Sequence, residues 1–149
     1  LKGTINLGLK YTKSSNIFKV IAFCDADFAN DTTDRKSLSG MVIKINHNLV
    51  HWQCKKQSVV ALSTCEAEYI SLSNCTTECL FITQLLFDIL HLNVFPIEIK
   101  EDNQPTIKIA STFETKRSKH IDVRHHFVRD LVNKDKLRLT YVPSKEQIA

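Results

Sequence analysis

The sequence predicts an α/β domain in which helices pack on a mixed five-stranded sheet. Three observations lead to this prediction. Strand patterns fill the first third of the chain, a helical period begins at Ser63, and strands and helices then alternate. Three consecutive strands predict an antiparallel meander, and the two later strands, each reached through a helix, are expected to run parallel to the first strand.

Three strands are predicted in the first third. Residues 18–23 are apolar apart from Lys19 and rich in β-branched and aromatic side chains, which predicts a buried central strand, β1. Residues 38–46, LSGMVIKIN, and 49–55, LVHWQCK, alternate between apolar and polar side chains around the polar pair at 47–48. They predict a hairpin of strands β2 and β3.

A long helix is predicted from Ser63. Apolar residues recur at steps of three and four as far as Ile89, which indicates one long amphipathic helix, α1, or two consecutive ones. Ser63 or Thr64 suits the N-cap position. Glu66 and Glu68 then fall in the first turn, where carboxylates interact favourably with the helix dipole.

Strand and helix alternate in the last third. Residues 97–100 predict a short strand, β4, and Pro105 suits the first turn of a short helix, α2, at 103–110. A basic loop follows, and the apolar positions within 121–132 predict a third helix, α3. Residues 136–143, KLRLTYVP, predict the last strand, β5.

The composition is that of one globular domain. The chain has 149 residues, 43% of them hydrophobic and 24% charged. Its longest apolar-rich segment, CLFITQLLFDILHLNVF, is interrupted by polar residues, which argues against a membrane span, and residues 1–16 lack the apolar core of a secretory signal. The five cysteines form no CxxC pair, which predicts reduced core thiols in a cytosolic protein rather than a disulfide or zinc framework.

Basic residues are clustered although the net charge is only +4. Three short clusters are compatible with a polyanionic partner, and equally with an ordinary solvated surface. The candidate contacts to a nucleic-acid backbone are Arg35, Lys36, Lys55, Lys56, Lys116, Arg117, Lys119 and His120.

Carboxylates follow two predicted strands and open the long helix. Asp25 comes after β1, Asp102 comes after β4, and Glu66 lies at the start of α1. Ligands of such sheets bind at the carboxyl ends of the strands, so these three side chains are expected to converge. Like charges held together destabilise a fold unless cations neutralise them. Hard oxygen ligands favour Mg²⁺ or Mn²⁺, which predicts a metal site for phosphodiester chemistry.

Five ordered segments resemble the ribonuclease H domain of copia-type LTR retrotransposon Pol polyproteins. These segments are CDADFAND…DRKSLSG, HWQCKKQSVVALSTCEAEYISLS, EDNQPTIKIA, RSKHIDVRHHFVRD and LTYVPSKEQIA. The resemblance implies a ribonuclease H-like fold and catalytic, metal-binding roles for Asp25, for Glu66 in CEAEY, and for Asp102 in EDNQ. It also implies hydrolysis of the RNA strand of RNA–DNA hybrids during reverse transcription, with two Mg²⁺ ions that Mn²⁺ can replace.

The resemblance also implies a domain organisation. Residues 1–17 resemble the linker from an upstream reverse transcriptase, and residues 18–149 are the ribonuclease H-like domain. The missing initiator Met suggests a fragment of a longer polyprotein. In the family, the EQ-x-A segment is followed by a fourth carboxylate, and the sequence ends at Ala149. The fragment is therefore expected to be weakly active or inactive, and the alternative is a catalytically impaired nucleic-acid-binding or structural module. The expected location is a cytoplasmic virus-like particle or the nucleus.

Other acidic residues have structural interpretations beside functional ones. Asp27 shares a strand face with Asp25, so it is either an outer group near the metals or a turn former. Asp31 is a second candidate for an additional metal ligand. Glu68 lies on another helix face than Glu66 and is expected to be exposed or paired with a lysine. Glu101 is expected to point away from Asp102 along β4.

The histidine and aromatic residues have mainly structural interpretations. His120, His125 and His126 lack the spacing of a zinc site, and His120 is expected to touch phosphate or to cap a helix. Asp122, near the start of α3, suits the helix dipole better than a catalytic role. Trp52 is expected in the core rather than as a platform for base stacking.

Overall fold

The structure is a computed structural model that describes residues 2–13, 18–112 and 119–149. In the last range it describes the backbone from residue 119 and the side chains from residue 123. Within these ranges every predicted element is present. The elements are β1 (Val20–Asp27), β2 (Leu38–Ile45), β3 (Asn48–Lys56), α1 (Thr64–Leu90), β4 (Ile97–Glu101), α2 (Gln104–Ser111), α3 (Lys119–Asn133), β5 (Leu137–Tyr141) and a short 3₁₀ turn (Ser144–Glu146). The predicted nucleic-acid contacts of Lys116 and Arg117 lie outside the described residues, as do the side chains of Lys119 and His120.

The five strands form one sheet in the order β3-β2-β1-β4-β5. The first three strands pair antiparallel, whereas β4 pairs parallel with β1 and β5 pairs parallel with β4. The mixed sheet predicted from the sequence is therefore confirmed.

The central parallel pair is short. Strand β1 pairs with β4 only from Ile21 to Phe23, opposite Glu98 to Lys100, although β1 itself continues to Asp27. Asp25 therefore lies within a strand instead of closing it, at the point where β1 and β4 have already parted.

Helix α1 covers β1 and β2 and forms the core with them. It is a single helix of 27 residues, and it ends at His91, whose left-handed φ of 54° lets its amide donate to the carbonyl of Phe87. Its sheet-facing side chains include Leu72, Cys75 and Cys79, all fully buried. No helix among the described residues is long and apolar enough to cross a membrane.

Two predictions about the core are wrong. Trp52 is 62% exposed, and Cys54 is exposed as well, because both lie on the face of edge strand β3 that no helix covers. The prediction of core thiols holds for Cys24, Cys75 and Cys79, which are buried, while Cys65 is half-buried. All five cysteines are free thiols.

Replacement of Leu72 by alanine tests the core assignment. Leu72 is fully buried against the sheet, so Leu72→Ala is expected to lower the free energy of unfolding by about 3 kcal/mol in a urea titration. Leu62→Ala is the matched control, because Leu62 is 86% exposed and its loss should change stability by less than about 0.5 kcal/mol. Equal effects of the two changes would contradict the packing of α1.

Candidate metal centre

Three carboxylates from three elements meet where β1 and β4 part. One oxygen each from Asp25, Glu68 and Asp102 lies within 4.8 Å of the other two. Asp25 comes from β1, Asp102 directly follows β4, and Glu68 reaches the same point from α1. Glu68 is only 4% exposed, whereas Asp25 and Asp102 are half-buried and open towards solvent. The predicted convergence of Asp25 and Asp102 is therefore observed.

The third carboxylate is Glu68 and not the expected Glu66. Ser63 is the N-cap of α1, and its hydroxyl accepts a hydrogen bond of 3.2 Å from the amide of Glu66. The carboxylate of Glu66 turns back and accepts a hydrogen bond of 2.8 Å from the amide of Leu62. This reciprocal arrangement closely resembles a capping box, so the helix start already uses Glu66.

Helix geometry directs Glu68 to the site. Two residues along an α-helix turn the side chain by roughly 200°, so Glu66 and Glu68 cannot face the same way. The expectation that Glu68 is exposed or paired with a lysine is wrong, because its helix face is the one that packs on the sheet. The S-x-x-E spacing from Ser63 to Glu66 is a capping-box signature, and it could have identified Glu68 as the residue free to point inwards.

Burial and like charge strongly disfavour an ionised Glu68. Burial, followed by the charges of Glu101, Asp25 and Asp102, raises its pKa to about 9. Its Oε2 atom is buried with no hydrogen-bond partner among the described residues. Such an atom needs either a proton or a cation beside it.

The pKa values of two neighbouring acids are raised for the same reasons. Burial, and then the charge of Asp102, raise the pKa of Asp25. Glu101 is fully buried, and burial raises its pKa to about 7 although Cys24 and the amide of Asn103 donate hydrogen bonds to it. Glu101 is not part of the group of three, although it lies close enough for its charge to raise the pKa of Glu68.

The carboxylates fit a divalent cation. All three ligands are hard oxygens, an octahedral ion held by three of them would keep positions for water or phosphate, and Glu68 also has a buried oxygen without a hydrogen-bond partner among the described residues. A bound cation would also remove the repulsion that raises these pKa values. The residues present therefore suit Mg²⁺ or a similar ion.

The other acids near β1 serve the loop that follows it. Asp27 is exposed and accepts a hydrogen bond from the side chain of Asn30. Asp31 accepts from the amide of Thr33 at 2.8 Å and from the ammonium of Lys56, and the hydrogen bond from Lys56 lowers its pKa to about 2. Neither acid belongs to the group of three.

The described basic candidates lie at the same end of the β2–β3 hairpin. Lys56 pairs with Asp31 and, at 3.0 Å, with Asp34, and Lys36 lies 3.7 Å from Asp34. These contacts tie the end of β3 to the loop before β2. Lys55 is exposed near them. Contacts of these residues with nucleic acid remain predictions.

His125 has a packing role. It is 7% exposed and its ring stacks on Tyr69 with 3.9 Å between the ring centres. This contact joins α3 to α1 and agrees with the structural interpretation of the histidines.

The chain is similar to transposon polyproteins along its whole length. It is 33% identical over 150 residues to the retrovirus-related Pol polyprotein from transposon RE2 of Arabidopsis thaliana, and 33% identical over 151 residues to that from transposon TNT 1-94 of Nicotiana tabacum. All of this chain is covered, but it spans only about a tenth of the length of these curated relatives. No protein-family model matches the chain.

Solved structures with a similar fold include ribonucleases H. LC11-RNase H1, isolated from compost by a metagenomic approach, superposes with a TM-score of 0.63 at 14% identity over 86% of each chain. The same protein in complex with an RNA/DNA hybrid gives a TM-score of 0.62 at 13% identity, over 87% of this chain and 88% of that one.

The sheet order and these superpositions define a ribonuclease H-like fold. Because the sequence similarity to retrotransposon Pol polyproteins extends over the whole of this chain, the chain belongs to that family, as a segment with a ribonuclease H-like fold.

Replacement of Glu68 by glutamine is expected to stabilise the metal-free chain. The folded-state pKa of about 9 lies above the ordinary value of 4.5, so the folded state binds more protons in that window and the free energy of unfolding falls as pH rises through it. Glu68→Gln removes this loss. Its free energy of unfolding should therefore exceed that of the unchanged chain by on the order of 2 kcal/mol at about pH 8. Urea unfolding in EDTA at about pH 5.5 and pH 8 measures the difference.

Glu66→Gln is the control for this pH effect. It removes a carboxylate of the same helix turn that lies outside the cluster, so its pH dependence should match that of the unchanged chain. A Glu68→Gln chain that is less stable than the unchanged chain at both pH values would show that Glu68 does not experience the repulsion described.

Proposed function

We propose that this domain is a metal-dependent endoribonuclease that hydrolyses the RNA strand of RNA–DNA hybrids. The observation that carries the proposal is the convergence of Asp25, Glu68 and Asp102 at one half-open point of a ribonuclease H-like sheet. Two further facts support it: the relatives are Pol polyproteins of transposons, and a structural neighbour was solved with an RNA/DNA hybrid.

In this proposal the three carboxylates hold divalent cations, two Mg²⁺ ions that Mn²⁺ can replace. Bound cations of this kind activate an attacking water and stabilise the leaving oxygen of a phosphodiester. Glu68 is the buried anchor at the bottom of the site, because its carboxylate is nearly inaccessible to solvent. Asp25 and Asp102 are more open, so they lie on the side from which the scissile phosphate would approach.

Recognition of the hybrid would use charge and shape. Lys55 and Arg35 are exposed near the end of the hairpin, and they could neutralise backbone phosphates without reading sequence. RNA would be distinguished from DNA by contacts to its 2′-hydroxyl groups across the minor groove. The proposed setting is beside the reverse transcriptase of the same polyprotein, in a cytoplasmic virus-like particle or in the nucleus.

Cleavage of a labelled RNA–DNA hybrid in Mg²⁺, and then in Mn²⁺, tests the proposal. Asp25→Asn and Glu68→Gln should each lower the rate by about 100-fold or more, because each removes charge that holds the catalytic cations. Glu66→Gln is the matched control and should keep the rate within about threefold, since Glu66 serves the helix start.

Two outcomes would contradict this assignment. If Glu66→Gln and Glu68→Gln lowered the cleavage rate equally, the loss would come from a damaged helix start and not from the carboxylate cluster. Hybrid binding without cleavage, in either metal, by a chain extended to include the family's fourth carboxylate would favour the alternative of a nucleic-acid-binding module.

Removal of one basic side chain tests the proposed backbone contacts. Lys55→Ala should weaken hybrid binding and reduce the dependence of log Kd on log salt by about one unit, because one fewer counterion is released. Lys134→Ala is the control: Lys134 pairs with Asp130 at 2.7 Å, at the opposite end of the sheet. Fluorescence anisotropy over a salt series measures both slopes, and identical slopes would remove Lys55 from the interface.

A further inference from the structure

The sheet by itself does not set the distance between the two aspartates of the cluster. Ladder pairing of β1 with β4 stops at Phe23 and Lys100. Asp25 and Asp102 each lie two residues beyond that point, where no further ladder pair joins the two described strands and the side-chain contact between them is the hydrogen bond of 3.2 Å from the Cys24 thiol to Oε2 of Glu101. A metal site requires its ligands at defined separations, so contacts outside the ladder must help to hold these two strand ends.

The segment that follows β5 spans this gap. The amide of Val142 donates to the carbonyl of Glu101 at 3.0 Å, which continues the sheet by one residue. The hydroxyl of Ser144 then donates to Oδ2 of Asp102 at 2.6 Å. We call residues 142–147 the clasp.

The other end of the clasp contacts β1. The side-chain amide of Gln147 donates to the carbonyl of Cys24 at 2.8 Å, directly before Asp25. Three residues of one short segment therefore make hydrogen bonds on both sides of the gap, to the chain at 101–102 and to the chain at residue 24. A 3₁₀ turn at Ser144–Glu146 keeps the two side-chain contacts close together.

We propose that Ser144 and Gln147 are positioning residues that set the geometry of the metal centre, an inference that rests on the metal-dependent function proposed above. Ser144 acts through the carboxylate of Asp102, and Gln147 acts through the backbone that carries Asp25. Neither side chain needs to touch the substrate or the ion.

The chemistry of the two contacts suits this role. A distance of 2.6 Å is in the range of a hydroxyl bonded to an ionised carboxylate, and this bond restricts the rotation of the Asp102 carboxyl group. Residues that orient a metal ligand in this way commonly change metal affinity or activity by 10- to 100-fold when they are removed. The Gln147 contact restrains only backbone, so we expect its effect to be smaller.

Metal binding measured without substrate tests the clasp. Ser144→Ala is expected to raise the Mn²⁺ dissociation constant in isothermal titration calorimetry by about tenfold, and Gln147→Ala by about threefold. Ser144→Thr keeps the hydroxyl and should restore the affinity of the unchanged chain. The double variant should lose less than the product of the two single losses, because both residues act on the same gap.

Matched controls separate positioning from general destabilisation. Ser111→Ala removes a hydroxyl that donates to the Ile107 carbonyl within α2, and Gln84→Ala removes a side-chain amide that donates to Asp88 on α1. Neither contact involves the cluster, so both control chains should bind Mn²⁺ as the unchanged chain does. Thermal unfolding in EDTA shows whether any variant has lost its fold.

The outcomes distinguish the clasp from the function on which it rests. Weaker Mn²⁺ binding in Ser144→Ala, with recovery in Ser144→Thr, supports the clasp even if no hybrid is cleaved. If Ser144→Ala and Gln147→Ala bind Mn²⁺ as tightly as the original chain does, the positioning role of the clasp is overturned and the proposed nuclease activity is not affected. If the original chain itself binds no Mn²⁺, both proposals are overturned.

Discussion

Mutual repulsion among buried carboxylates is the constraint around which this domain is arranged. Asp25, Glu68 and Asp102 bring one oxygen each within 4.8 Å of the others, and Glu101 adds a fully buried carboxyl group near them, whose pKa burial raises to about 7. Such a cluster costs stability in the absence of a cation. The cluster lies where the pairing of β1 with β4 has ended. There Asp25 and Asp102 remain in contact with solvent, which limits the loss of stability.

The remaining structure compensates for this local strain. Helix α1 packs an apolar face, including Leu72 and Cys75, across the antiparallel half of the sheet, so the element that delivers Glu68 is itself firmly held. The first turn of the same helix is closed by Ser63 and Glu66. Two acids only two residues apart therefore have opposite roles: one stabilises the helix start, and the other faces the cluster.

Strands and helices could be read from the sequence because their signals are local. Alternating apolar residues identified β2 and β3, and the steps of three and four identified α1. The two aspartates of the candidate site could also be predicted from the sequence, since each follows a run of strand-forming residues. Trp52 could not be placed in this way: its exposure depends on which face of an edge strand a helix covers, and that is decided by contacts distant in sequence.

The sequence by itself therefore determined the element order, the mixed sheet and the two aspartates of the candidate site, because period and strand ends are properties of short segments. Only the tertiary structure decided that Glu68 and not Glu66 completes the cluster. That choice depends on the rotation of α1 about its axis, which its cap and its packing on the sheet set together. The clasp, too, is visible only in the folded chain, since Gln147 and Cys24 meet across 123 positions of sequence.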